Sequence, residues 1–71
     1  MISRDPRLDP QLGDCVERDL PGGIVHRVVT ARDGNVIFYK LYTPRVKGRA
    51  CKCRIVTWQD WCRKATVVTA A

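Results

Sequence analysis

Histidine occurs once, at His26, and the seven acids leave a gap with none between Asp33 and Asp60. The chain also lacks a nucleophile elbow, a phosphate-cradling glycine loop and a pair of carboxylates on one clear face. The groups for acid–base or nucleophilic chemistry are therefore not assembled, and a non-enzymatic protein is expected. Long apolar runs are missing too. None approaches the ~20 residues that cross a bilayer, and the opening MISRDPRLDP lacks the apolar stretch of a signal peptide. A cytoplasmic protein without membrane attachment is the expectation. In a reducing compartment the four cysteines, Cys15, Cys51, Cys53 and Cys62, are expected as thiols or ligands rather than disulfides. There is no internal repeat and no low-complexity segment.

What is present is enough for one small domain. A chain of 71 residues with 45% hydrophobic and 28% charged content is expected to fold. Its small core supplies only roughly 3–5 kcal/mol of net stability. Charge is unevenly spread. The net charge of +6 divides into −1 over residues 1–39 and +7 over residues 40–71, where Asp60 is the single acid. The second half therefore projects a field that attracts nucleic acid, an acidic protein surface or anionic lipid.

Residues 1–12 hold Asp5-Pro6 and Asp9-Pro10, steps that exclude a helix, and are taken as an extended N-terminal arm. Residues 13–69 form a single small β domain. It opens with a strand, Cys15–Asp19, closed by the turn signal Leu20-Pro21-Gly22-Gly23. A hairpin follows, Ile24–Ala31 and Val36–Tyr42 joined through Asp33-Gly34, a favoured centre for a type I′ turn. That turn pairs Arg32 with Asn35, so Val29 opposes Phe38, Arg27 opposes Lys40 and Val25 opposes Tyr42. The Val29/Phe38 face is taken as core, although the opposed Arg27 and Lys40 count against it. Neither face is clearly polar, and the spare apolar face suits a partner or a dimer contact.

After Thr43-Pro44 come a loop, Arg45–Arg49, and a strand, Ala50–Val56. A short helix is expected next, with Thr57 as cap, Asp60 completing a shortened capping box, and Val56 and Trp61 as a hydrophobic staple. Trp58, Trp61, Cys62 and Ala65 follow the i, i+3, i+4, i+7 rule and give it one apolar face. Thr66–Thr69 can form a last strand, with Ala70-Ala71 fraying. Together these elements predict a mostly-β fold: a small SH3-like barrel or β-roll of four to five short antiparallel strands with one short C-terminal helix. The alternative is an open three-stranded antiparallel sheet plus helix.

The candidate binding residues are Arg45, Lys47, Arg49, Lys52 and Arg54, a basic loop and strand without an intervening acid. Lys52 and Arg54 alternate with Cys51, Cys53 and Ile55, which gives the strand a basic face and an apolar one. Its cations suit phosphates, and a flexible loop can track a backbone. Tyr39 and Tyr42 are the candidate exposed stacking rings. At least one of Trp58 and Trp61 is assigned to the core, because in a domain this small the indoles are its largest anchors. Cys51, Cys53 and Cys62 are a weak metal alternative, with Cys15 or His26 as a fourth ligand. The usual C-x₂-C pairs of zinc sites are absent, so buried thiols are preferred and no cofactor is expected.

The opening DPRLDPQLGD, the central RVVTARDGNVIFY and the terminal TWQDWCRKA resemble small uncharacterised proteins carried by bacteriophages and prophages. Cys51 and Cys53 lie outside that pattern. The resemblance implies an accessory protein of a mobile element, working in the bacterial host cytoplasm, and transfers no site. Two functions are then in view. One is a nucleic-acid-binding accessory protein using residues 45–54. The other is an inhibitor or adaptor, anti-CRISPR-like, that binds a host or phage machine through the apolar hairpin face. A monomer or weak homodimer fits either.

Overall fold

The computed structural model describes residues 4–70. Met1, Ile2 and Ser3 of the expected arm, and Ala71, lie outside the described residues. In chain order the elements are β1 (Cys15–Leu20), β2 (Gly23–Asp33), β3 (Val36–Tyr42), β4 (Lys47–Arg54), α1 (Ile55–Trp61), a 3₁₀ turn (Cys62–Lys64) and β5 (Thr66–Thr69). The five strands form one antiparallel sheet in the order β4-β3-β2-β1-β5. The fold is mostly β, as expected, and takes the form of an open sheet with a short helix, having five strands where the open alternative had three. β1 to β4 run as a meander, and α1 carries the chain across one face so that β5 lands beside β1. β4 and β5 are the two edges. Helix side chains, rather than pairing between these edges, cover the core.

The β2–β3 hairpin turns one residue later than a centre at Asp33-Gly34 predicts. Asp33 pairs with Val36 across Gly34-Asn35, with Gly34 at φ +57° and Asn35 at negative φ. Glycine in the first central position is the type II′ pattern, which asks less of Asn35 than type I′ does. A bulge between Val29 and Ala31 then changes the pairing, so that Val29 faces Tyr39, Val28 faces Lys40 and Arg27 faces Leu41. This extra residue exchanges the two faces of β2 relative to β3 partway along the hairpin. The expected pairs Val29/Phe38 and Arg27/Lys40 are not made. Val29 lies in the core, Phe38 lies on the opposite face, and the like-charge pair never forms.

One sheet face carries Val16, Val29, Ile37 and Tyr39, all buried, and Trp58, Cys62 and Ala65 close over them. At about 1.5–3 kcal/mol per buried large apolar side chain, this cluster is the main source of stability. The Trp58 and Tyr39 rings meet edge to face, with centroids 5.5 Å apart. The helical spacing read for Trp58, Cys62 and Ala65 is the spacing that turns them inward. The cap is different. α1 starts directly after β4, with Arg54 at the N-cap position and no side-chain capping bond. The Ile55 N–H instead donates to the Asn35 carbonyl of the β2–β3 turn, 2.7 Å away. Thr57 is thus the third helical residue, and Val56, 71% exposed, staples nothing.

Residues 4–12 are not extended. They form turns folded against the sheet and helix, with the Leu8 and Asp9 N–H groups both donating to the Asp5 carbonyl. Pro6 and Pro10 are buried, and the Pro6 carbonyl accepts the Trp58 indole N–H at 3.0 Å. Asp14, fully buried, holds Arg4 through both guanidinium nitrogens Nη1 and Nη2 and accepts the Gln11 N–H. The carbonyls that proline frees from helix formation are satisfied by side chains of the domain, which is why this segment packs. A Cα radius of gyration of 11.4 Å, against roughly 11 Å for a compact chain of this length, agrees with a folded-back N-terminus.

Candidate functional site

Among the described residues no helix covers the sheet face turned away from α1. On β4 it presents Lys52 opposite Phe38 and Arg54 opposite Val36, and on β3 it presents Lys40 opposite Ala50. Strand alternation puts Phe38, Lys40 and Tyr42 of β3 on this same side. Lys47 joins them through a second bulge. Leu41 pairs with Arg49 but Tyr42 pairs with Lys47, leaving Gly48 as the extra residue at φ +85°. A side chain at Gly48 would be strained there and would press on the Tyr42 ring 3.4 Å from its Cβ. The bulge re-aims Lys47 to the outer face, where a regular strand would have turned it toward the helix side.

The same register sends Arg49 to the α1 side of the edge strand, opposite Leu41, so it stands apart from Lys47, Lys52 and Arg54. Arg45 lies in the β3–β4 connection. That connection is a closed turn rather than the flexible loop expected: Thr43 Oγ1 accepts the N–H of Arg45 at 3.2 Å and of Val46 at 2.9 Å, and the Thr43 N–H donates to the Val46 carbonyl at 2.8 Å. Tyr42, expected as an exposed ring, is half-buried and lies on the outer face. Tyr39 does not. It is buried between the sheet and Trp58, because the bulge in β2 places it opposite Val29, and burial pushes its phenol pKa upward. Phe38 and Lys40 occupy the places on the outer face that sequence reasoning gave to Tyr39. The i, i+2, i+4 spacing of Phe38, Lys40 and Tyr42 carried that signal.

Two shallow grooves cross this face. One, of about 280 Å³, is walled by Phe38, Ala50, Cys51 and Lys52. The other, of about 330 Å³, is walled by Tyr42, Lys47, His26, Ile24, Thr43 and Pro44. Each sets an aromatic ring beside a lysine. The face is also graded in charge. Glu17 and Asp19 stand on β1, with Glu17 Oε2 3.5 Å from His26 Nδ1, whereas β3 and β4 carry cations and no acid.

The cysteines are all free thiols but do not form one site. Cys51 and Cys53 pair with Tyr39 and Ile37 on the helix side, where Cys62 is buried. Cys15 and His26 pair with Val28 and Tyr42, so they face the other way. The sheet itself separates the imagined fourth ligand from the other three. Among the described residues no group of three or more His, Cys, Asp or Glu is placed to hold a metal. Burial pushes the Cys62 thiol up to about 11, and it raises Cys53 as well. A thiol so seldom ionised at neutral pH is a packing group rather than a nucleophile.

The helix side holds one group that the sequence did not disclose. Arg27 lies among the apolar residues there, its guanidinium 3.9 Å from the Trp61 ring centroid and 4.6 Å from that of Tyr39. Its Nε and Nη1 are buried without a hydrogen-bond partner among the described residues. The Trp61 and Tyr39 rings, and that of Trp58 at 5.9 Å, supply the electrostatic attraction that an acid would otherwise give. Among the described residues no helix is long and apolar enough to cross a membrane. No protein-family model, curated protein or solved structure matches the chain.

Proposed function

We propose that this protein is a small accessory protein of the phage or prophage type whose outer sheet face binds nucleic acid. The observation that carries the reading is the convergence of Lys40, Lys47, Lys52 and Arg54 around Phe38 and Tyr42 on two adjacent strands free of acids. Each phosphate neutralised by one of these cations releases a counterion. The accessory role rests on the resemblance of the three sequence segments to phage-borne proteins. In a retardation assay at low salt the protein is expected to shift nucleic acid. Four contacts give a log–log salt slope of about −3 to −4, at roughly −0.7 to −0.9 per phosphate. The Lys52→Glu/Arg54→Glu double variant is expected to abolish the shift. Arg49→Glu, an equal charge change per residue on the other face, is expected to leave most of it. Equal losses from both would show that overall charge, and not this face, is responsible.

A second reading keeps the same face and changes the partner to an acidic protein surface, as for an inhibitor or adaptor. It is favoured by Ile24, 46% exposed beside Tyr42 and His26. A complex with host protein that survives nuclease, formed by a protein that retards no oligonucleotide, would decide for it.

A further inference from the structure

We infer that the nucleic acid taken by the outer face is single-stranded, with unpaired bases lying against Phe38 and Tyr42 and the intervening phosphates on Lys40, Lys47 and Lys52. This rests on the nucleic-acid reading and adds the strand state of the ligand. The first support is the order of side chains along β3. Phe38, Lys40 and Tyr42 share one face, which sets the rings about 13 Å apart with a cation between them. The second is the pair of grooves, each bordered by one of these rings and by a lysine of β4, Lys52 or Lys47. Ring and ammonium are thus offered twice in the same arrangement, which suits a repeating polymer of base and phosphate. In a duplex the base faces are already stacked on one another, so neither ring could be used; unpaired bases have free faces.

The helix gives the complementary argument. A protein that reads duplex through the major groove inserts a helix or a β-ribbon. Here α1 has seven residues, lies on the sheet face opposite the cations, and spends Trp58 on the core. What remains is a broad strand surface with rings and lysines interleaved, and it is open at the β4 edge.

The test is fluorescence anisotropy with labelled oligo-dT, oligo-U and a mixed-sequence duplex, each of about a dozen nucleotides or base pairs, a length within the usual range of single-strand site sizes. Both single strands are expected to bind more tightly than the duplex. Phe38→Leu and Tyr42→Leu keep apolar bulk without a stacking face. Each is expected to weaken single-strand binding by about 5-fold to 150-fold, the equivalent of one stacked base, while leaving duplex binding unchanged. Thermal melts of both variants are the check that the sheet stays intact. A preference for dT over U or the reverse reflects the sugar together with the thymine methyl group, and supports the inference either way. Duplex binding equal to single-strand binding, with both leucine variants indifferent, overturns this inference and leaves the nucleic-acid reading standing. Failure to bind any of the three probes at low salt overturns both.

Discussion

At the residue scale the two aromatic anchors are of different kinds. Trp58 is fully buried and its indole N–H donates to the Pro6 carbonyl, whereas Trp61 is partly exposed and lies under the Arg18 and Arg27 guanidiniums. Trp58→Ala should leave the protein largely unfolded, since such a truncation costs about 3–5 kcal/mol, as much as the whole expected stability. Trp58→Phe removes the indole N–H together with part of the buried ring. It should cost about 1–3 kcal/mol for the buried carbonyl left unpaired, and a chemical melt would read this as a lower midpoint with an unchanged slope. Arg27 poses the opposite case. Two buried nitrogens without a hydrogen-bond partner among the described residues oppose the fold, and the attraction to the surrounding rings, about 2 kcal/mol for a desolvated contact, favours it. Arg27→Met keeps the length and removes the desolvated charge, so its melting temperature should equal or exceed that of the parent. A marked fall would show that the cation itself holds the rings in place.

At the element scale the start of α1 decides a prediction that the sequence alone reverses. If Thr57 were the cap, Thr57→Ala would cost about 1 kcal/mol. Since Thr57 is exposed, sits within the helix and makes no capping bond, the change should be neutral or stabilise by up to about 0.5 kcal/mol from helix propensity. Equilibrium denaturation of the two proteins resolves a difference of that size. The helix begins early because the β2–β3 turn offers the Asn35 carbonyl to Ile55, a contact between segments 20 residues apart in sequence.

At the scale of the whole molecule the N-terminal segment belongs to the fold. It covers Trp58, and it is tied down by Arg7 to the Ala65 carbonyl, by Gln59 to the Leu8 carbonyl and by Arg32 to Asp9 and the Pro10 carbonyl. A chain beginning at Gly13 should therefore lose the dispersed amide spectrum of the parent. An independent arm would leave it intact. Among the described residues the side-chain ties of this segment run to the helix side and the β2–β3 hairpin, and none reaches the outer-face lysines, so small changes among those lysines should alter binding and leave the melting temperature nearly unchanged.

The sequence by itself determined most of the elements. The β3 bounds Val36–Tyr42 and the last strand Thr66–Thr69 follow from β-branched and aromatic runs between turn residues, and the inward set Trp58, Cys62, Ala65 follows from helical spacing. These are local periodicities, which each segment carries without its neighbours. It also showed the basic second half and the alternation that puts Lys52 and Arg54 on one side. What only the tertiary structure decided is which groups share a face. A bulge between Val29 and Ala31 sent Tyr39 into the core and left Phe38 outside, and a bulge at Gly48 brought Lys47 to the basic face. Since side chains alternate with a period of two, a single inserted residue reverses every assignment beyond it. Whether a strand takes up such a residue depends on the twist and packing of the strands beside it, which no one segment encodes.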